Sequence, residues 1–196
     1  MKTTDDHWER FLDPDAVKPS LFLATMFITT FEIFKNAVID RIRGFYTDGF
    51  DETGPIVGPE YQHEVSARHK SVLYASLNWL LEREVIDSDD LATFERLKII
   101  RNQLAHQLFE VVTGQTESAH ESQFAVLVAL LRKVEVWWIV NFEIPTNQDY
   151  DSEEIDVEGL VPGSILSLQM LIQVASGNKE LLEYWRKARQ QQRVDT

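Results

Sequence analysis

Phe27, Phe31, Phe34, Val38 and Ile42 follow one another at spacings of four, three, four and four residues between Pro19 and Arg43. Only a helix puts residues so spaced on one face, so this chain must bury a helical stripe against further helices. No period of two persists anywhere in the 196 residues to argue for a sheet. Gly44, Gly49, Gly54, Pro55, Gly58 and Pro59 predict a turn-rich connector, followed by a second helix from Glu60 to Val85. A third helix is expected from Asp90 to Val112, capped by Ser88 or Asp89 and stopping near Gly114. A fourth runs from Ser118 to Phe142, ahead of Pro145. Pro162-Gly163-Ser164 opens a fifth, and Gly177-Asn178 separates it from a last, basic helix, Lys179 to Arg189.

The expected architecture is therefore all-α, an antiparallel bundle of about five or six helices. A chain of 196 residues fits one domain with a single substantial core. Within it the patterning predicts a lead-in at residues 1–18, the bundle at 19–143, an acidic loop at 144–162, and C-terminal helices at 163–196 packed on the bundle.

The net charge is −13, which by itself opposes phosphate binding, but it is unevenly spread. Seven acids and no base fall between Glu143 and Glu158: Glu143, Asp149, Asp151, Glu153, Glu154, Asp156 and Glu158. That stretch reads either as a solvated loop or as an acidic cover over a basic cleft. From Gly177 to Thr196 the balance reverses to +2, with Lys179, Arg186, Lys187, Arg189 and Arg193 against three acids. The absence of cysteine excludes disulfides, thiolate metal sites and a Cys nucleophile, and leans towards a cytoplasmic protein. Met1 to Arg10 predict no signal peptide, and no uninterrupted apolar run is long enough to predict a membrane span.

Chemistry concentrates in Arg101-Asn102-Gln103-Leu104-Ala105-His106, inside the third expected helix. At about 100° per residue, Leu97, Ile100, Leu104, Leu108 and Val111 form one side and Arg96, Gln103, Gln107 and Glu110 the wet side. Arg101 falls within the apolar arc, which demands a paired charge, a subunit interface or a cleft. Asn102 and His106 lie one turn apart and share a third face with Ile99, Ala105 and Phe109, more apolar circumference than one core uses. A homodimer with this helix near its two-fold axis is expected on that ground.

The Arg-Asn-x-x-Ala-His string on a late bundle helix resembles the HEPN (higher eukaryotes and prokaryotes nucleotide-binding) superfamily, whose signature is an Arg, four to six residues and a His, often with a polar residue directly after the Arg. The resemblance implies an all-α bundle that dimerises to bring two Arg/His pairs into one cleft, where many members cut RNA without metal. Some members keep the bundle and lack cleavage. Arg101, Asn102 and His106 are the positions carried over, with no cofactor and no metal. RNA is the implied substrate, and a toxin or defence setting with an antitoxin or other protein partner is the implied context. In such a site His106 acts as general base or acid on a ribose 2′-hydroxyl, Arg101 stabilises charge on the phosphate, and Asn102 orients one or the other. One His cannot serve as both acid and base in the same step, so the site needs a second copy or other polar groups. The silent alternative is a HEPN-like bundle that binds RNA, a nucleotide or a protein.

A rival from another class rests on Glu60/His63 and Glu117/His120, which an up-down-up-down bundle would bring to one end with Asp40 or Glu110 as a two-metal carboxylate site. Three smaller expectations complete the reading. Glu32 and Asn36 are candidates for Arg101's partner, His69 for a core or interface histidine, and one of Trp137 and Trp138 for a dimer anchor.

Overall fold

The computed structural model describes residues 8–9, 11–112, 120–150 and 155–194. Its architecture is all-α apart from one small hairpin. Residues 1–154 and 155–196 form two compact units.

Helix α1, Pro14–Phe45, organises the first unit. It begins before Pro19, because Asp13 caps it by accepting the Asp15 N–H at 2.9 Å and Pro14 presets the first helical φ. Pro19 lies inside the helix, where its missing N–H removes a ladder bond without ending the run. The aromatic stripe is the core as expected: Phe27, Phe34, Val38 and Ile42 are wholly buried, and Phe31 nearly so. Among the described residues α1 is the helix long and apolar enough to cross a membrane by length and composition. Its apolar stripe is spent on packing inside the bundle.

The connector after α1 is ordered rather than merely turn-rich. Thr47–Asp51 (β1) and Gly54–Val57 (β2) pair antiparallel, with Phe50 opposite Pro55 and a bulge between Thr47 and Gly49. Asp51 Oδ1 accepts both the N–H and the hydroxyl of Thr53 at 2.7 Å, and Gly54 takes φ +127°, which closes the turn.

The second expected helix is broken in two. After α2, Glu60–Glu64, come a 3₁₀ turn at Ser66–Arg68 and then α3, Val72–Glu82. His69 is extended at φ −163° and ψ 151°, and its Nδ1 accepts the Ser71 N–H at 2.9 Å, a local bond that competes with the helical ladder. The side chain is exposed and set against the Tyr74 ring, so His69 is not the core histidine its apolar neighbours suggested. Arg68 spans the break by ion-pairing with Glu64 and Glu82.

Helix α4, Ser88–His106, starts from Asp87 rather than from Ser88 or Asp89. Asp87 Oδ1 accepts the N–H groups of Asp89 and Asp90 at 2.9 Å, and Asp90 returns a bond to the Asp87 N–H at 3.0 Å. The helix stops at His106: Gln107 leaves helical geometry at φ −122° and ψ 27°, and a short α5, Leu108–Val112, follows. The expected continuous helix is thus interrupted directly after its motif, and the boundaries expected at Gly114 and Ser118 lie outside the described residues. Helix α6, His120–Trp138, runs into a π-helical turn at Ile139–Glu143, closed by Ile144 N–H donating to the Ile139 carbonyl at 2.9 Å. Lys133 of α6 reaches Asp87 and Asp90, fastening α6 to the capped end of α4. Helix α1 packs against α3, α4, α5 and α6.

Trp137 and Trp138 both join one aromatic cluster around Trp79, Trp138 buried and Trp137 half-buried. Trp138 stacks on Trp79 at 5.8 Å and 5° and Trp137 meets Trp79 edge-on at 6.2 Å, because helix ends allow neighbouring rings to wrap one large partner.

In the second unit α7, Gly163–Ala175, begins where Pro162-Gly163-Ser164 predicts, and α8 is Glu180–Val194. Gly177 at φ +87° makes the turn between them, and Asn178 Oδ1 accepts the Glu180 N–H at 2.9 Å. Gln148–Tyr150, a 3₁₀ turn, interrupts the expected acidic loop, and residues 151–154 lie outside the described residues.

Candidate active site

The middle of α4 carries the motif, and its register follows from the apolar spacing: Leu97 and Leu104 are wholly buried, which rotates Arg96 and Gln103 outwards. Arg101, next to that buried line, is half-buried and ion-paired. Its Nη2 donates to Glu32 Oε1 of α1 at 2.6 Å, so of the two candidate partners Glu32 meets it. Asn36, one turn further along α1, instead lines a cleft whose walls include neither Glu32 nor Arg101.

Glu32 is held by two cations. Lys35 Nζ donates to its Oε2 at 2.6 Å, and Arg101 occupies Oε1. The Lys35 hydrogen bond, with that of Arg101 behind it, holds the Glu32 carboxyl below its usual range against the opposing effect of burial. Lys35 is the member sequence reasoning missed, although opposite charges at i and i+3 are a legible helical signal.

A group whose folded pKa is depressed contributes stability that is complete above its unfolded pKa and is lost as pH falls through the folded one. The stability gap between wild type and Glu32→Gln should therefore be constant above about pH 5 and narrow below it. Denaturant titrations of both proteins across acid pH measure this, and a gap that stays the same throughout would contradict it.

Arg101 has further unused capacity. Its Nε is buried with no acceptor, and Nη1 lies 3.4 Å from Asn102 Oδ1, at the outer limit of a hydrogen bond. A buried N–H left unmet costs about 1–3 kcal/mol, which favours any acceptor that could reach it.

Asn102, Ala105 and His106 are exposed, as are the large side chains of Ile99 and Phe109, 57 % and 56 % accessible. His106 is the last residue of α4. Five helical steps place it about 140° around the axis from Arg101, with Asn102 between them. Within one chain, then, Arg101 leans towards α1 while His106 lies on the open face. The Phe109 ring packs on Phe11 at 5.2 Å, and Phe11 on Trp8 at 5.8 Å, so the apolar face expected of the motif helix is continued by the segment before α1.

The residues of the rival metal site stay apart or out of view. Among the described residues no group of three or more His, Cys, Asp and Glu side chains gathers to hold a metal ion, and Glu117 and the His120 side chain lie outside them.

Comparisons of the chain with models of known protein families, with curated proteins and with solved structures find no match.

Proposed function

We propose that the protein is a metal-independent endoribonuclease of HEPN type, cytoplasmic, acting as a homodimer in the setting of a toxin or defence component. The reading rests on one observation: Arg101, Asn102 and His106 sit on α4, whose exposed face also presents Ile99, and Phe109 of the following α5 is exposed as well. Joining two such faces about a two-fold axis would bring each His106 towards the other copy's motif and supply the second acid or base that a single chain lacks.

The chemistry is in-line attack of a ribose 2′-hydroxyl on the adjacent phosphorus. One imidazole removes the hydroxyl proton, the other protonates the departing 5′-oxygen, and the guanidinium of Arg101 offsets charge on the non-bridging oxygens. For Arg101 to turn to a phosphate it must loosen its bond to Glu32, and Lys35 makes that affordable because Glu32 remains paired.

The same ion pair favours a second reading, in which Arg101 is structural and the bundle binds RNA, a nucleotide or a partner protein without cleaving. Incubating the pure protein with end-labelled RNA, with and without a chelator, separates the two. Cleavage unaffected by chelator supports the first; intact RNA supports the second. Light scattering at micromolar concentration is expected to give twice the 22.7 kDa chain mass. A monomer at that concentration would remove the composite site and with it the cleavage mechanism.

A further inference from the structure

The last helix reverses the charge of the chain. Between Tyr184 and Val194 stand four bases, Arg186, Lys187, Arg189 and Arg193, and no acid, in a protein of net charge −13. The two acids of α8, Glu180 and Glu183, are confined to its first turn, where carboxylates suit the helix dipole. At about 100° per residue, Tyr184, Leu181, Trp185 and Leu182 share an arc of about 160°. Arg186 and Arg189 fall at the Leu182 edge of that arc, and Glu183 lies on the far side.

The structure leaves this surface open. Leu182 through Lys187 are all exposed, as is Arg189, with Tyr184 74 % and Trp185 54 % accessible. The Arg189 guanidinium lies 5.6 Å from the centre of the Trp185 ring, so a cation is carried directly beside the largest apolar side chain of the helix. Helix α7 of the same unit contains no charged residue, and Leu166, Met170 and Val174, spaced at four residues, are exposed along one side of it.

A nucleic acid would engage the bases and leave the aliphatic side chains of both helices in water. A second copy of α8 fits no better. In a parallel pair bases face bases, and in an antiparallel pair the apolar first half of one helix meets the Gln-rich, basic second half of the other. An anionic lipid surface takes both features at once: headgroups receive the guanidinium and ammonium groups, while Leu182 and the Tyr184 and Trp185 rings sit at the boundary with the acyl chains. We propose that α8 is a membrane-surface anchor, which lies in the plane of a bilayer rich in anionic lipid and holds the protein there without spanning it. The inference goes beyond the ribonuclease reading and uses none of its residues.

Flotation of the full chain across a lipid titration tests this, with vesicles of phosphatidylcholine and phosphatidylserine at about three to one beside vesicles of phosphatidylcholine alone. The protein should float with the mixed vesicles, bind the neutral ones at least about tenfold more weakly, and lose affinity for the mixed ones as salt is raised. Leu182→Ala with Trp185→Ala should lower the affinity by about tenfold, and so should Arg186→Gln with Lys187→Gln and Arg189→Gln; these side chains are exposed, so the fold survives their loss. Arg43→Gln with Lys70→Gln and Arg96→Gln removes the same charge from exposed positions of the first unit and should leave the affinity within about twofold. Absence of flotation, equal binding to neutral vesicles, or an equal loss in the two triple variants would each overturn the anchor. So would α8 variants that float as wild type does; a loss of RNA affinity or of the dimer in those same variants would then assign the helix to a nucleic acid or to a second copy.

Discussion

Replacing His106 with alanine is expected to abolish RNA cleavage while leaving the helical content and the dimer intact. The imidazole is exposed on the last turn of α4, so its removal opens no cavity and breaks no core contact. General acid–base groups contribute about 10²–10⁴-fold to such reactions, and in a two-fold site each substitution acts on both copies. Arg101→Ala should be as damaging to cleavage but with a signature of its own. It frees Glu32, which keeps Lys35, so a modest loss of stability accompanies the loss of rate, whereas His106→Ala shows the rate effect alone. Products of the wild-type reaction should end in 2′,3′-cyclic phosphate, and chelator should change nothing. The measurement is single-turnover cleavage of labelled RNA alongside circular dichroism and light scattering. Activity surviving His106→Ala would move the chemistry off this face.

The parts of the fold that could be read in advance were those where one physical signal dominates. The Phe27 to Ile42 stripe is buried as its spacing requires, because a long apolar period leaves no other way to remove that area from water. The breaks were not legible for the same reason. At His69 and Ser71 a side-chain nitrogen takes the place of a helical carbonyl, and at Gln107 the ladder ends without Gly or Pro, so apolar periodicity runs across an interruption that only local hydrogen bonding reveals. The hairpin was hidden by the Gly and Pro that build its turn and bulge. At the site, the misplaced polarity of Arg101 pointed to a partner, and Glu32 is that partner. Neither the role of Lys35 nor the separation of Asn36 into another cleft follows from spacing on one helix, since both depend on how α1 is rotated against its neighbours.

Trp79→Ala is expected to be the most damaging single change to the first unit, at about 3–5 kcal/mol. Trp79 is 1 % exposed and stacks on Trp138 at 5.8 Å, with Tyr46, Phe45 and Trp137 ringed around it at 6.2–6.3 Å. Its Nε1–H donates to Tyr46 Oη at 3.0 Å, and the Arg83 guanidinium lies 3.8 Å above the ring. Truncation therefore removes a large buried surface, leaves a cavity that rigid rings cannot collapse into, and takes from Tyr46 Oη the shorter of its two donors, leaving Arg83 Nη2 at 3.5 Å. A domain of ordinary stability, about 5–15 kcal/mol, can lose that much and remain folded, so the loss is measurable by denaturant titration. Trp79→Phe restores part of the ring packing and omits the hydrogen bond, and should lose clearly less, since a net hydrogen bond is worth about 0.5–1.5 kcal/mol. Trp185→Ala on α8, where the ring is 54 % exposed, should change stability by no more than about 0.5 kcal/mol. The ordering Trp79→Ala, then Trp79→Phe, then Trp185→Ala is the result to look for. Equal losses at Trp79 and Trp185 would mean that the aromatic cluster between α1, α3 and α6 does not hold this bundle together.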